Sequence, residues 1–139
     1  MITLKYFDYS IKFILLTVLF LLNLAVEVDA YDTKSNRQNS VRVDVRPIQL
    51  FPGKPARFEV RMNAHAGDLD QDIVAVSTLT DDQGRNYRPT NWKGSPPGGH
   101  HRKGVLEFPV LDGTPVSIIL VIREIANVPE RIYEWTVER

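Results

Sequence analysis

Histidine is the residue type in this chain best suited to chemistry, and there are three: His65, His100 and His101. His100 and His101 stand in the run Gly98-Gly99-His100-His101-Arg102, just after Pro96-Pro97, and His65 is followed closely by Asp68, Asp70 and Asp72. Neutral imidazole is the commonest protein ligand for zinc and copper, and two or three imidazoles with a carboxylate make a plausible site. The expected site therefore binds copper or zinc through His65 and His100, with His101, Asp68 or Asp70 completing the ligand set. In the structural alternative the histidines fix a loop through backbone hydrogen bonds, and Arg102 bridges to an acidic neighbour. With no cysteine in the chain, thiolate metal sites and cysteine nucleophiles are excluded, and the fold must rest on apolar burial rather than disulfides.

Other chemistries find less support. Asp68-Leu69-Asp70-Gln71-Asp72 spaces carboxylates like the first half of a calcium loop, but Ile73 and Leu79 stand where that loop needs Gly and Glu. A solvated acidic loop is the simpler reading. Ser95 lacks the strand, turn and helix of a nucleophile elbow, and neither a phosphate loop nor a dinucleotide fingerprint occurs. No enzymatic activity is expected. The chain carries 17 basic and 17 acidic residues, interspersed, without the basic stripe of a nucleic-acid binder.

The elements that must hold these residues read as short strands. Residues 1–30 stand apart: Lys5 and Lys12, an apolar run from Phe13 to Val26, and Val28-Asp29-Ala30 have the three-part layout of a secretory signal peptide cleaved after Ala30. The apolar run is shorter than the roughly 20 residues that span a bilayer. Export to the periplasm or the exterior is expected, with no membrane attachment after cleavage. Residues 31–40 are polar and aperiodic and read as a flexible tail, leaving residues 41–139 as one domain.

Within that domain Val41–Arg46 and Ala56–Met62 alternate apolar and polar residues, the period of a half-buried strand, with Phe58, Val60 and Met62 inward. Further strands are expected over Ile73–Thr80, Arg85–Arg88, Gly104–Val110 with Leu106 and Phe108 inward, Val116–Ile122, and Ile132–Val137 with Tyr133 and Trp135 sharing a face. Trp92, in the long segment between strands, is expected to pack rather than line a ligand surface. About seven strands ending in turn signals predict a single immunoglobulin-like antiparallel β-sandwich. In such a fold alternate loops fall at the same end, so all three histidines, with Asn127 and Glu130, are expected to cluster at one pole. Adjacent residues of an extended chain face opposite ways, and carrying the inward parity of Leu106 and Phe108 backwards picks His100 over His101.

The stretch from Ala75 through Gly84, Tyr87, Trp92 and Gly94 to Gly98-Gly99-His100-His101-Arg102, Gly104, Leu106 and Phe108 resembles a group of exported microbial β-sandwich proteins with a G-G-H-H-R loop. That resemblance implies the fold and the place of the site, and no activity. The expected function is an exported, non-enzymatic binding domain for a transition metal. The alternative is a protein-interaction or structural accessory module of the cell envelope, with an envelope or extracellular protein as partner.

Overall fold

The computed structural model describes residues 31–137, so the expected signal segment lies outside the described residues. Nine strands follow in order: β1 (Lys34–Gln38), β2 (Val41–Gln49), β3 (Pro55–Ala64), β4 (Ser77–Asp81), β5 (Asn86–Tyr87), β6 (Asn91–Gly94), β7 (His101–Val110), β8 (Ser117–Arg123) and β9 (Glu130–Thr136). One 3-10 turn, Ile125–Asn127, separates the last two. Two antiparallel sheets result, ordered β1-β2-β3-β7-β6 and β5-β4-β8-β9. No helix among the described residues is long and apolar enough to cross a membrane.

The alternating sequences dictate which faces meet. Val41, Val43 and Val45 of β2, Phe58, Val60 and Met62 of β3, and Leu106 and Phe108 of β7 are all buried, as their period of two requires. They close on Leu79, Ile118, Leu120, Ile122, Tyr133 and Trp135 of the second sheet. Phe58 bridges the layers, its ring 5.6 Å from Phe108 and 5.7 Å from Trp135. Tyr133 Oη donates across to Val43 O at 3.1 Å, which satisfies its buried hydroxyl.

Three differences from the sequence expectation have physical causes. The segment read as a flexible tail holds β1, an edge strand paired with β2 from Lys34↔Val45 to Gln38↔Val41. Its bonding is backbone to backbone and it buries no apolar face, so hydrophobic period could not reveal it. Its two-residue connection, Asn39-Ser40, has φ of 47° and 62°, the positive pair that a type I′ hairpin turn requires. Secondly, residues 73–76 form turns rather than strand, although Ile73 is buried. The Asp72 carboxylate accepts from Val74 N at 3.0 Å, and Val76 N donates to Asp72 O, so a local side-chain bond wins over strand propensity. Thirdly, the long segment before His100 contains β6, which pairs with β7. Gly94 lies opposite Gly104 there, and a Cβ on Gly104 would fall 2.6 Å from the Gly94 Cα, so neither position admits a side chain without parting the strands.

The short strands β5 and β6 run in the same direction, β5 bonded to β4 in one sheet and β6 to β7 in the other. Together they are one strand that changes sheets. This is why the expected end-to-end parity of the loops survives two unforeseen strands.

The outer face of the five-stranded sheet is charged. β1 and β2 present Arg37, Arg42 and Arg46, β3 presents Arg57 and Arg61, and β7 and β6 present Lys103 and Lys93; the carboxylates among them are Asp44, Glu59 and Glu107.

Candidate functional site

At one end of the sandwich the loop between β3 and β4 meets the loop between β6 and β7. Ala64 N donates to His100 O at 2.8 Å, Leu69 N to Gly99 O at 3.0 Å, and Gly98 N to Leu69 O at 2.9 Å. Gly98 and Gly99, at φ 110° and 71°, supply the left-handed turn that lets this miniature ladder form. His65 N bonds Ser40 O, which ties the same cluster to the β1–β2 turn. The loops carrying His65 and His100 are thus neighbours.

The side chain at the centre is not a histidine. The inward parity of Leu106 and Phe108 runs back to Arg102, which is 2% exposed. His100, expected to be the inward one, stands beyond the strand end and is exposed. Arg102 Nη1 donates to Leu69 O at 2.8 Å and to Gln71 O at 2.7 Å, and its guanidinium lies 5.9 Å from the Trp92 ring centre. It does not bridge to an acidic side chain as the structural alternative supposed; two backbone carbonyls take its Nη1 donors, and its buried Nε has no hydrogen-bond partner among the described residues. Burial pushes the guanidinium pKa down, and the charges of Asp72 and Asp70 push it up. One guanidinium nitrogen donating to two carbonyls of one loop fixes that loop's path.

His101 faces outward, its Nδ1 2.9 Å from Asn63 Oδ1 on the neighbouring strand. His65, Asp68 and Asp70 are exposed like His100. Among the described residues no group of three or more His, Asp or Glu side chains is gathered in a metal-binding arrangement. Ser95 Oγ accepts from Lys103 N at 3.3 Å, which ties its hydroxyl to the backbone of the adjoining strand.

Two further centres escaped the sequence reading. Arg131 is fully buried on the parity of Tyr133 and Trp135 and reaches beneath the β1–β2 turn. Its strong bonds go to Asn36 Oδ1 at 2.7 Å and Gln38 O at 3.0 Å, with longer ones to Asn36 O, Val41 O and Ile125 O. Among the described residues the five non-glycine positions with positive φ, Asn39, Ser40, Glu124, Ala126 and Asn127, all lie in the two turns it joins. Such backbone persists only where surrounding bonds over-determine it. Asn39 Nδ2 adds a bond to Ala126 O at 3.1 Å. The available sequence signal was a cation placed at an inward strand position.

The opposite end holds an apolar concavity of about 370 Å³, walled by Leu50, Ala56, Leu111, Pro115 and Val137 with exposed Phe51 at its lip. Lys54 is the one charged residue among the described residues of its lining. Nearby, Asp81 is buried under four donors: Gln83 N, Arg85 N, Arg85 Nε at 2.7 Å and Tyr87 Oη at 2.9 Å.

Fold and site together define an all-β protein of two packed antiparallel sheets, with a polar loop cluster at one end pinned by a buried arginine. Comparison with family models, with curated proteins and with solved structures returned no match to this chain.

Proposed function

We propose that the chain is an exported, non-enzymatic binding module with an immunoglobulin-like sandwich, in which the Gly-Gly-His-His-Arg loop is a structural clasp. The observation that carries this reading is Arg102, buried and spent on the carbonyls of Leu69 and Gln71. A loop that commits its central cation to holding its neighbour is built to present a fixed surface. The immunoglobulin-like assignment is supported by the strand order: β2-β3-β7-β6 facing β4-β8-β9 corresponds to the A-B-E-D and C-F-G sheets of that architecture, with β1 and β5 as added edges. Export is supported by the layout of residues 1–30, and an envelope or extracellular partner follows from it. The resemblance to exported microbial proteins with a G-G-H-H-R loop points the same way.

The test replaces Arg102 with methionine, which keeps the stem and removes the fork. Losing two charge-assisted bonds, with Gly98 N still donating to Leu69 O and Gln71 O left without its donor, is expected to cost about 2 kcal/mol in urea denaturation. The amides of Leu69 and Gly98 are expected to lose hydrogen-exchange protection before the rest of the sandwich. Unchanged protection at both amides would refute the clasp.

A second reading, a copper or zinc site on His65 and His100, is favoured by the bond from Ala64 N to His100 O, which brings the two loops side by side. Titration of the purified protein with Cu(II) and Zn(II) decides it. One equivalent bound by the parent and lost in both His65→Ala and His100→Ala is the result this reading expects, with Asp68, Asp70 and His101 as the next positions to test. No stoichiometric binding, or binding that survives both substitutions, leaves the clasp alone.

A further inference from the structure

The chain as a whole is electrically balanced, with 17 basic and 17 acidic residues. The fold unbalances it. Seven cations and three carboxylates share the outer face of the five-stranded sheet, a local excess of four positive charges.

The arrangement within that face breaks a rule of sheet pairing. Arg37 lies directly opposite Arg42, and Arg61 directly opposite Lys103. Directly opposed residues have Cβ atoms about 5 Å apart, and like charges there are destabilising. Arg42 has Asp44 at 2.8 Å and Arg61 has Glu59 at 2.5 Å, but neither Arg37 nor Lys103 forms an ion pair among the described residues. Glu59 is held ionised: burial pushes its pKa up, and the hydrogen bonds and charges of Arg61 and Arg46 bring it below the ordinary value. Each like-charge pair thus keeps one cation, Arg37 or Lys103, that no carboxylate answers and that its neighbour repels, which points to a ligand that uses the pair. For Arg37 alone, protection of an edge strand would suffice. Arg61 and Lys103 are on interior strands, where that account fails.

The four cations are all exposed and cross four neighbouring strands, so the track is about 14 Å long at the usual strand spacing. Beside it a polar cleft of about 230 Å³ opens between Thr33, Arg42, Asp44, Arg46, Glu59 and Arg61. That is smaller than the roughly 300–1,000 Å³ of sites that engulf a drug-sized ligand, so it suits one unit of a longer chain. No Phe, Tyr or Trp among the described residues stands on this face to stack a base, which single-stranded nucleic acid would use. The interleaved carboxylates disfavour a flat anionic membrane, which would press lipid phosphates onto them, whereas a single flexible chain can follow the cations.

We propose that this face binds a linear acidic polysaccharide, sulfated or carboxylated, along the track Arg37, Arg42, Arg61 and Lys103. The proposal rests on the reading of the chain as a binding module, but it uses a surface distinct from the Arg102 clasp, so the two tests fail independently.

The experiment measures affinity of the purified protein for dextran sulfate, polygalacturonate and neutral dextran at two ionic strengths. Binding of one or both acidic polymers, weakened by salt, with none to neutral dextran, is the expected result; which of them binds identifies the anion. The double variant Arg61→Gln/Lys103→Gln is expected to bind roughly tenfold more weakly and with a shallower salt dependence. Lys54→Gln, at the far end, is expected to bind like the parent. The melting temperature of the double variant is expected to stay close to that of the parent, because the repulsive pair and the exposed Arg61–Glu59 ion pair are lost together. Equal affinity of parent and double variant overturns the proposal. So does duplex DNA or a phosphatidylglycerol vesicle binding more tightly than either acidic polysaccharide, or absence of binding to both at low salt.

Discussion

Arg131→Ala is expected to destabilise the protein by about 3–5 kcal/mol, the largest effect of any single substitution considered. Two opposing terms set that figure. Burying a guanidinium costs several kcal/mol of desolvation, and no carboxylate pairs with Arg131 to offset it among the described residues. Burial accordingly depresses its pKa. Against this stand two short bonds, to Asn36 Oδ1 and Gln38 O, and three longer ones, of which those to Val41 O and Ile125 O are buried. Charge-assisted bonds contribute about 1.5–3 kcal/mol each, and each buried acceptor left unpaired costs about 1–3 kcal/mol. Truncation removes the bonds, leaves a void and releases two turns built from positive-φ residues. Urea denaturation of the variant checks the sum. Arg131→Lys keeps the charge without the fork and is expected to restore less than half of the loss. A loss under about 1 kcal/mol in Arg131→Ala would mean that desolvation cancels the bonds and that Arg131 is no clamp.

Asp81→Asn is expected to cost about 3 kcal/mol at neutral pH, and that cost is expected to shrink in acid. The Asp81 carboxylate is buried and accepts from four donors, two backbone amides, Arg85 and Tyr87. The asparagine amide offers one oxygen in place of two and turns an NH₂ toward Arg85 or Tyr87. Burial alone would raise the Asp81 pKa; the hydrogen bonds from Arg85, Tyr87 and Gln83 overcome it and hold the pKa below the ordinary value. A folded pKa below the unfolded one means that the ionised form stabilises the fold above the unfolded value, about 3.9, and that this is lost as pH falls through the folded value. The gap between parent and variant should therefore be full at pH 7, begin to close below about pH 5, and be small near pH 2. Glu59 is depressed in the same direction, so the variant keeps a residual acid limb of its own. Denaturant midpoints from pH 7 to pH 2 provide the check, and a gap that does not narrow would remove Asp81 from the acid response.

The core was legible because its residues obey a period of two: Phe58, Val60 and Met62, Leu106 and Phe108, Tyr133 and Trp135 are all buried where alternation put them. Strand β1 was not, since its side chains bury no apolar face; only the two-residue turn Asn39-Ser40 advertised it. Ile73 to Val76 misled in the other direction, its β-branched composition overruled by a bond from the Asp72 side chain. The meeting of the histidine loops could be reached from strand parity. The role of Arg102 could have been, because it sits four residues before Leu106 on the same face. What the sequence could not supply is the pairing of Arg61 with Lys103, which lie on strands far apart in the chain and become neighbours only through the order β3-β7.

The strand that changes sheets has a mechanical consequence. The two layers share no disulfide, and apart from a few hydrogen bonds such as those of Tyr133 and Arg131 the plane between them is lined by apolar side chains whose contacts have little directional preference. The apolar contacts alone would offer little resistance to one layer sliding over the other. The chain from Asn86 to Gly94 is hydrogen-bonded first into one layer and then into the other, with only Arg88, Pro89 and Thr90 between its two anchored pieces. Relative sliding would have to break one of those anchors, so this short crossing acts as a pin through the sandwich and keeps both outer surfaces in fixed relation.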